Sequence, residues 1–185
     1  MKPRVGISRC LLGDEVRYDG THKHNAPVMA LGGDVEWIPV CPEVEVGMGV
    51  PREPIQLVSR ADGTRSADAH VRLVGAQTGD DWTERMQHWT QRRIEELTRF
   101  GISGFVLKSR SPSCGPRGVI VHHAHAEPTP AGRGLFAEAL ANAMPGLPME
   151  DEDSLGDPAM RAEFLQRVQA YQRRSRSRRS TSPRS

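Results

Sequence analysis

The 185-residue chain has three cysteines, Cys10, Cys41 and Cys114, and they share a setting. Cys10 follows the apolar stretch Val5-Gly6-Ile7-Ser8 by one residue, and Cys41 directly follows Trp37-Ile38-Pro39-Val40. Cys114 lies in the loop after Phe105-Val106-Leu107, in "GFVLKSRSPSCGPRG" (104–118). Each thiol thus comes just after a strand-like run. In open α/β sheets, loops leaving the carboxyl ends of parallel strands gather at one edge, where ligands bind. Sulfur atoms 31 and 73 residues apart in sequence can therefore converge. A free cysteine often does no more than fill core space. The serines, arginines and glycines around Cys114, however, make a poor core and a good site. Three thiolates favour zinc, Cu(I) or an iron–sulfur cluster. They leave one coordination position open where a structural zinc would use four protein ligands.

The elements that must position these thiols follow from periodicity and punctuation. Strands are expected at Val5–Ser8, Val35–Val40, Phe105–Leu107 and Val119–Val121, with a hairpin pairing Ile55–Val58 with Val71–Val74 around the Asp62-Gly63 turn signal. The spacing predicts a helix from about Asp81 to Phe100. Trp82, Met86, Trp89, Leu97 and Phe100 share a face, Asp80 or Asp81 caps it, and Gly101 ends it. A short helix closes at Met29–Leu31, another covers 133–143, and a last amphipathic one carries Met160, Phe164, Leu165, Val168 and Tyr171. Strands alternating with helices predict an α/β fold: a Rossmann-like open sheet, mostly parallel, with a small hairpin and flanking helices. One domain is expected over 1–171, followed by a disordered Arg/Ser-rich stretch, 172–185.

Charge and compartment narrow the function classes. The formal net charge is +2, yet 172–185 holds six arginines and no acid, so the rest of the chain is mildly acidic. Nucleic-acid binding is therefore a weak expectation that rests on this basic stretch alone. The residues MKPRVGISRC lack the apolar run of a secretory signal, and no stretch approaches membrane-spanning length. Three widely spaced cysteines do not make a disulfide scaffold. A cytoplasmic setting, without a membrane partner, is the expectation.

Three longer motifs, "SRCLLGDEVRYDG" (8–20), "CPEVEVGMGVPREP" (41–54) and "LKSRSPSCG" (107–115), resemble the signatures of the thiouracil desulfurase family. The similarity covers roughly residues 3 to 145 in order and spacing. It implies a bacterial enzyme of sulfur metabolism with a [4Fe-4S] cluster on three cysteines, matching Cys10, Cys41 and Cys114. It implies removal of sulfur from a small thiolated pyrimidine such as 2-thiouracil, giving uracil and hydrogen sulfide. The open iron then acts as a Lewis acid on a soft thiocarbonyl sulfur.

Such enzymes also use an acid and a serine near the cluster. Glu45 is the first choice of acid and Glu43 the second; Ser109 and Ser111 are the serines, and the sequence does not separate them. Lys108 and Arg52 are the expected substrate contacts, with Arg52 alternatively pairing with Glu43 or Glu45. Asp14, Arg17, Tyr18 and Asp19 form either an ion-paired wall beside Cys10 or simply the packing of the "RYDG" turn, and Arg117 is read as a solvated charge. His122, His123 and His125 in "VHHAHAE" are read as a polar strand end rather than a zinc site, and His22 and His24 as surface residues. The alternative function is a non-enzymatic iron–sulfur or zinc sensor of redox state or metal, touching nucleic acid through its basic stretch. A sensor has no need of the acids beside Cys41.

Overall fold

A computed structural model describes residues 1–59 and 71–180. It has two four-stranded sheets. The first, in order β2-β1-β5-β8, is wholly parallel: β1 (Arg4–Ser8) pairs with β2 (Glu36–Val40) and β5 (Gly104–Leu107), and β5 pairs with β8 (Met149–Asp151). The second, in order β4-β3-β6-β7, is mixed. Its β3 (Ile55–Ser59) runs parallel to β6 (Val119–His123). The two edge strands, β4 (Val71–Gly75) and β7 (Thr129–Gly132), are antiparallel to their neighbours. The α/β architecture with a parallel sheet is as expected. The expected hairpin is β3–β4, one side of this second sheet; its Asp62-Gly63 turn lies outside the described residues.

The parallel sheet is covered on both faces, as its apolar strands require. Side chains alternate along β5: Phe105 and Leu107 join the larger core, while Val106 joins the smaller. In the larger core they meet Leu57, Leu73, Val119 and Val121 of the second sheet, with α3 (Thr83–Phe100) and α4 (Leu135–Ala143). Phe136 of α4 sits edge-on to Phe105, with centroids 5.4 Å apart, and also packs on Trp89. On the other face, Phe164 and Val168 of α5 (Pro158–Ser180) lie against Val5, Ile7 and Val106. Gly6 is needed where these layers close up. A Cβ there would lie 2.3 Å from the Phe105 ring.

Several local expectations change. Met86, Trp89, Ile94 and Leu97 form the buried face of α3, but Phe100 in its last turn is 47% exposed. Its carbonyl instead accepts a hydrogen bond from Arg4. The N-cap residue of α3 is Trp82; Asp81, one position earlier, supplies the oxygen that accepts Thr83 N–H. The helix expected over 133–143 begins at Leu135, because Gly134 is extended. Strands β7 and β8 carry little apolar signal. Two of the three residues of β8 are acids, and both are buried. Arg117 and Arg167 neutralise Glu150, and Arg117 also reaches Asp151, so Arg117 is an ion-pairing residue rather than a free loop charge.

Helix α5 runs on without a break through Ser180, well into the stretch expected to be disordered from residue 172. Its arginines have helix propensity close to that of alanine, so the sequence that lacks a core partner still propagates a helix already nucleated by Phe164 and Val168. No helix of the described residues is long and apolar enough to cross a membrane.

Candidate active site

All four strands of the parallel sheet point the same way, so their carboxyl ends share one edge. Cys10 lies in a 3-10 turn (Arg9–Leu12) after β1, and Cys41 lies between β2 and α2 (Pro42–Glu45). Cys114 sits in the loop after β5, and Glu152 directly follows β8. These residues line one cavity of about 620 Å³. Its six cationic side chains, among them Arg17, Arg52 and Lys108, outnumber the three carboxylates of Glu43, Glu152 and Asp153.

The three thiols are buried. Burial, then the neighbouring Cys41, pushes Cys10 up to about 12. Burial likewise raises Cys41 and Cys114. Clustered and desolvated, they are neutral thiols until a soft cation displaces their protons. The donor set fits a thiophilic group: sulfur only, cationic surroundings, and enough room for more than one metal ion. Among the described residues no three His, Cys, Asp or Glu side chains form a single-ion site. A zinc ion with sulfur at about 2.3 Å would draw its thiolates to within about 4 Å of one another. A cluster takes each thiolate on a different iron and spaces them more widely.

The Cys114 loop is held by its own serines and by α4. Ser111 Oγ accepts the backbone N–H of Cys114 at 3.1 Å and that of Ser113 at 3.3 Å. The carbonyls of Pro112 and Ser113 accept N–H groups from the first turn of α4. Gly134 allows that docking, since a Cβ there would lie 2.5 Å from the backbone of Ser113. Ser111 thus shapes the loop. Ser113, fully buried, donates to Glu43 Oε1 at 2.8 Å and lies 3.6 Å from Cys114 Sγ.

The two candidate acids part company on α2. Glu43 lines the cavity, its Oε2 held by Arg52 Nε at 3.0 Å and by Arg52 Nη2. Arg52 also donates to the carbonyls of Val16 and Gly49 and is therefore fully engaged. Glu45 turns back instead. Its Oε1 accepts Cys41 N–H at 2.9 Å, and its Oε2 pairs with Arg93 of α3 at 3.3 Å.

The other candidate serine belongs to a second network. Ser109 donates from both N–H and Oγ to Glu152, each at 2.8 Å, and Lys108 Nζ pairs with the same carboxylate. Lys108 N–H donates to Ser8 Oγ, which ties the β5 exit to the β1 exit. Glu152 and Ser113 were not among the residues singled out from sequence. The acids that follow the short β8 were the available signal for Glu152, and the Ser-x-Ser-Cys run was that for Ser113.

Around Cys10, Arg9 pairs with Asp14 at 2.8 Å and Arg17 with Asp19 at 3.5 Å, and Arg17 lies over the Tyr18 ring. Arg17, Tyr18 and His24 face the cavity; His24 is exposed, as expected, and also borders the site. His122 and His123 lie on β6 of the second sheet, where His123 contacts Thr129 Oγ1 at 2.9 Å; neither lines the cavity.

Comparisons with known proteins agree with this arrangement. The 2-thiouracil desulfurase family model matches residues 5–152. The Bacillus subtilis (strain 168) protein YbbK is 29% identical over 151 residues, which span 82% of this chain and 97% of YbbK. A solved structure titled as the [4Fe-4S]-dependent thiouracil desulfidase TudS is similar with a TM-score of 0.65 and 28% identity. The match covers 88% of this chain and 99% of that one.

Proposed function

Since the chain belongs to the 2-thiouracil desulfurase family, we propose that it removes sulfur from a thiolated pyrimidine such as 2-thiouracil, with Cys10, Cys41 and Cys114 holding a [4Fe-4S] cluster. The observation that carries this reading is the meeting of three buried thiols, from three parallel strand ends, in one cavity with Glu43 and Ser113. With no fourth cysteine in the chain, a bound cluster supplies one iron without a protein thiolate, a Lewis acid suited to soft sulfur.

The chain's own residues supply the remainder. The overall change replaces C=S with C=O: water adds to the ring carbon, and sulfur leaves as hydrogen sulfide. Glu43 is the base that takes the water proton at Oε1, the oxygen not held by Arg52. Ser113, on that same oxygen, orients it, and the protons of the added water end on the departing sulfur, which leaves as hydrogen sulfide. Lys108 faces the cavity and steadies negative charge that develops on the substrate, while Ser109 acts on position, its hydroxyl and N–H holding Glu152 beside Lys108. Glu45 acts on position rather than chemistry, by fixing the backbone of Cys41. The burial of these groups keeps bulk water from competing.

Anaerobic reconstitution with iron and sulfide, followed by a sulfide-release assay on 2-thiouracil, tests the reading. The parent chain is expected to show the brown cluster absorbance and turnover, and Cys114→Ala to lose both. Full turnover by Cys114→Ala would overturn it.

A further inference from the structure

The end of α5 has no part in the cavity, and its composition differs from that of any other element. After Glu163 the sequence holds no acid, and residues 172–185 (QRRSRSRRSTSPRS) hold six arginines, no lysine and no apolar side chain except Pro183. The last core contact of α5 is Tyr171, yet the helix continues through Ser180. Arg173, Arg174 and Arg176 are exposed, and among the described residues none of them is ion-paired. Arginines nearer the core behave otherwise: Arg52, Arg93, Arg117 and Arg167 all engage carboxylates. The family match stops at residue 152, so these guanidinium groups lie outside the part that defines the desulfurase.

We infer that the arginine-rich end of α5 binds the phosphodiester backbone of a nucleic acid. The absence of lysine favours phosphate, which a planar guanidinium grips with two parallel hydrogen bonds. Positions 173, 174 and 176 are spaced by one and two residues, so at about 100° per residue they point to different sides of the helix. The three span an arc of about 160°, a broad face that suits a strand curving around the helix or a groove with phosphates on both walls. The interspersed serines add small hydroxyl donors for phosphate oxygens. A lipid surface is disfavoured because a helix lying in the interface needs an apolar face to insert, and 172–180 has none. The contacts inferred are to phosphate, so the binding is largely independent of nucleotide sequence.

The test is fluorescence anisotropy of a labelled oligouridine with the full chain and with its Arg173→Gln/Arg174→Gln/Arg176→Gln variant. If about four phosphates are neutralised, affinity of the parent chain falls about 50-fold between about 50 and 200 mM salt. The variant is expected to bind at least about tenfold more weakly at the lower salt, with the same melting temperature, since the three side chains are exposed and, among the described residues, not ion-paired. Equal binding by the variant, or binding insensitive to salt, would overturn the inference. So would phosphatidylserine vesicles or polyglutamate competing charge for charge with the RNA, or a lowered melting temperature in the variant. Because the readout is RNA binding by the chain without thiouracil, its failure is distinct from failure of the desulfurase reading.

Discussion

The two sheets have four strands each and share a core, but the cavity that gathers the three thiols lies at the strand ends of the parallel one. In β2-β1-β5-β8 every strand runs in the same direction, so four exits open on one edge and deliver Cys10, Cys41, the 108–114 loop and Glu152 to one cavity. In β4-β3-β6-β7 the edge strands run against the central parallel pair, so only two strand exits open on each edge. His122 and His123 sit on the second sheet, and among the described residues no cysteine or carboxylate is brought alongside as a ligand set. Residue types that bind metals are therefore insufficient. Strand polarity decides whether they meet.

The largest test of this contrast is Glu43→Gln. Loss of the proposed general base at the parallel edge is expected to lower kcat about 10²- to 10⁴-fold, with the absorbance of the proposed cluster unchanged, as read by sulfide release and visible spectrum. If kcat holds, the acid of the site lies elsewhere.

Thiol chemistry sharpens the same point. In the cluster-free protein Cys10, pushed up to about 12, is almost wholly protonated at neutral pH. Its alkylation by iodoacetamide at about pH 8 is expected to be more than about a hundredfold slower than that of an exposed cysteine. The rate should then climb about tenfold per pH unit, because only the thiolate reacts and pH stays below the raised pKa. Peptide mass mapping reads the rate at each cysteine. Fast, pH-independent labelling of Cys10 would contradict its burial among the other thiols.

Glu152→Gln tests the fourth strand exit. It leaves Lys108 in a mostly buried position without its counter-charge, and about 2–4 kcal/mol of stability should be lost, read by denaturant midpoint. Sulfide release should fall as well, since Ser109 and Lys108 lose their anchor. The smallest effect is expected in the other sheet: His122→Ala should change turnover less than about twofold and keep full cluster absorbance. A large loss there would erase the distinction between the sheets.

Much of the edge was legible because its signals are local. An apolar run followed at once by cysteine marks a strand exit, and three such runs predicted the convergence that the parallel sheet provides. The arginine-rich stretch was equally plain as charge, though its helical continuation was not. That depends on Phe164 and Val168 nucleating α5 upstream, a tertiary event.

The choice between Glu43 and Glu45 lay beyond the reach of pattern. Two residues apart, they point roughly 200° apart around a helical turn. Only the docking of α2 determines that one faces Ser113 in the cavity and the other faces Arg93. Glu152 was hidden for a related reason. A three-residue strand with two buried acids has no apolar signature, and it exists because Arg117 and Arg167 from distant segments neutralise Glu150. Composition and order along the chain were enough to name the thiols, the strands before them and the family. Which acid, which serine and which cation stand together depended on packing between segments up to a hundred residues apart, because a side chain's partners are set by the surface against which its element is pressed.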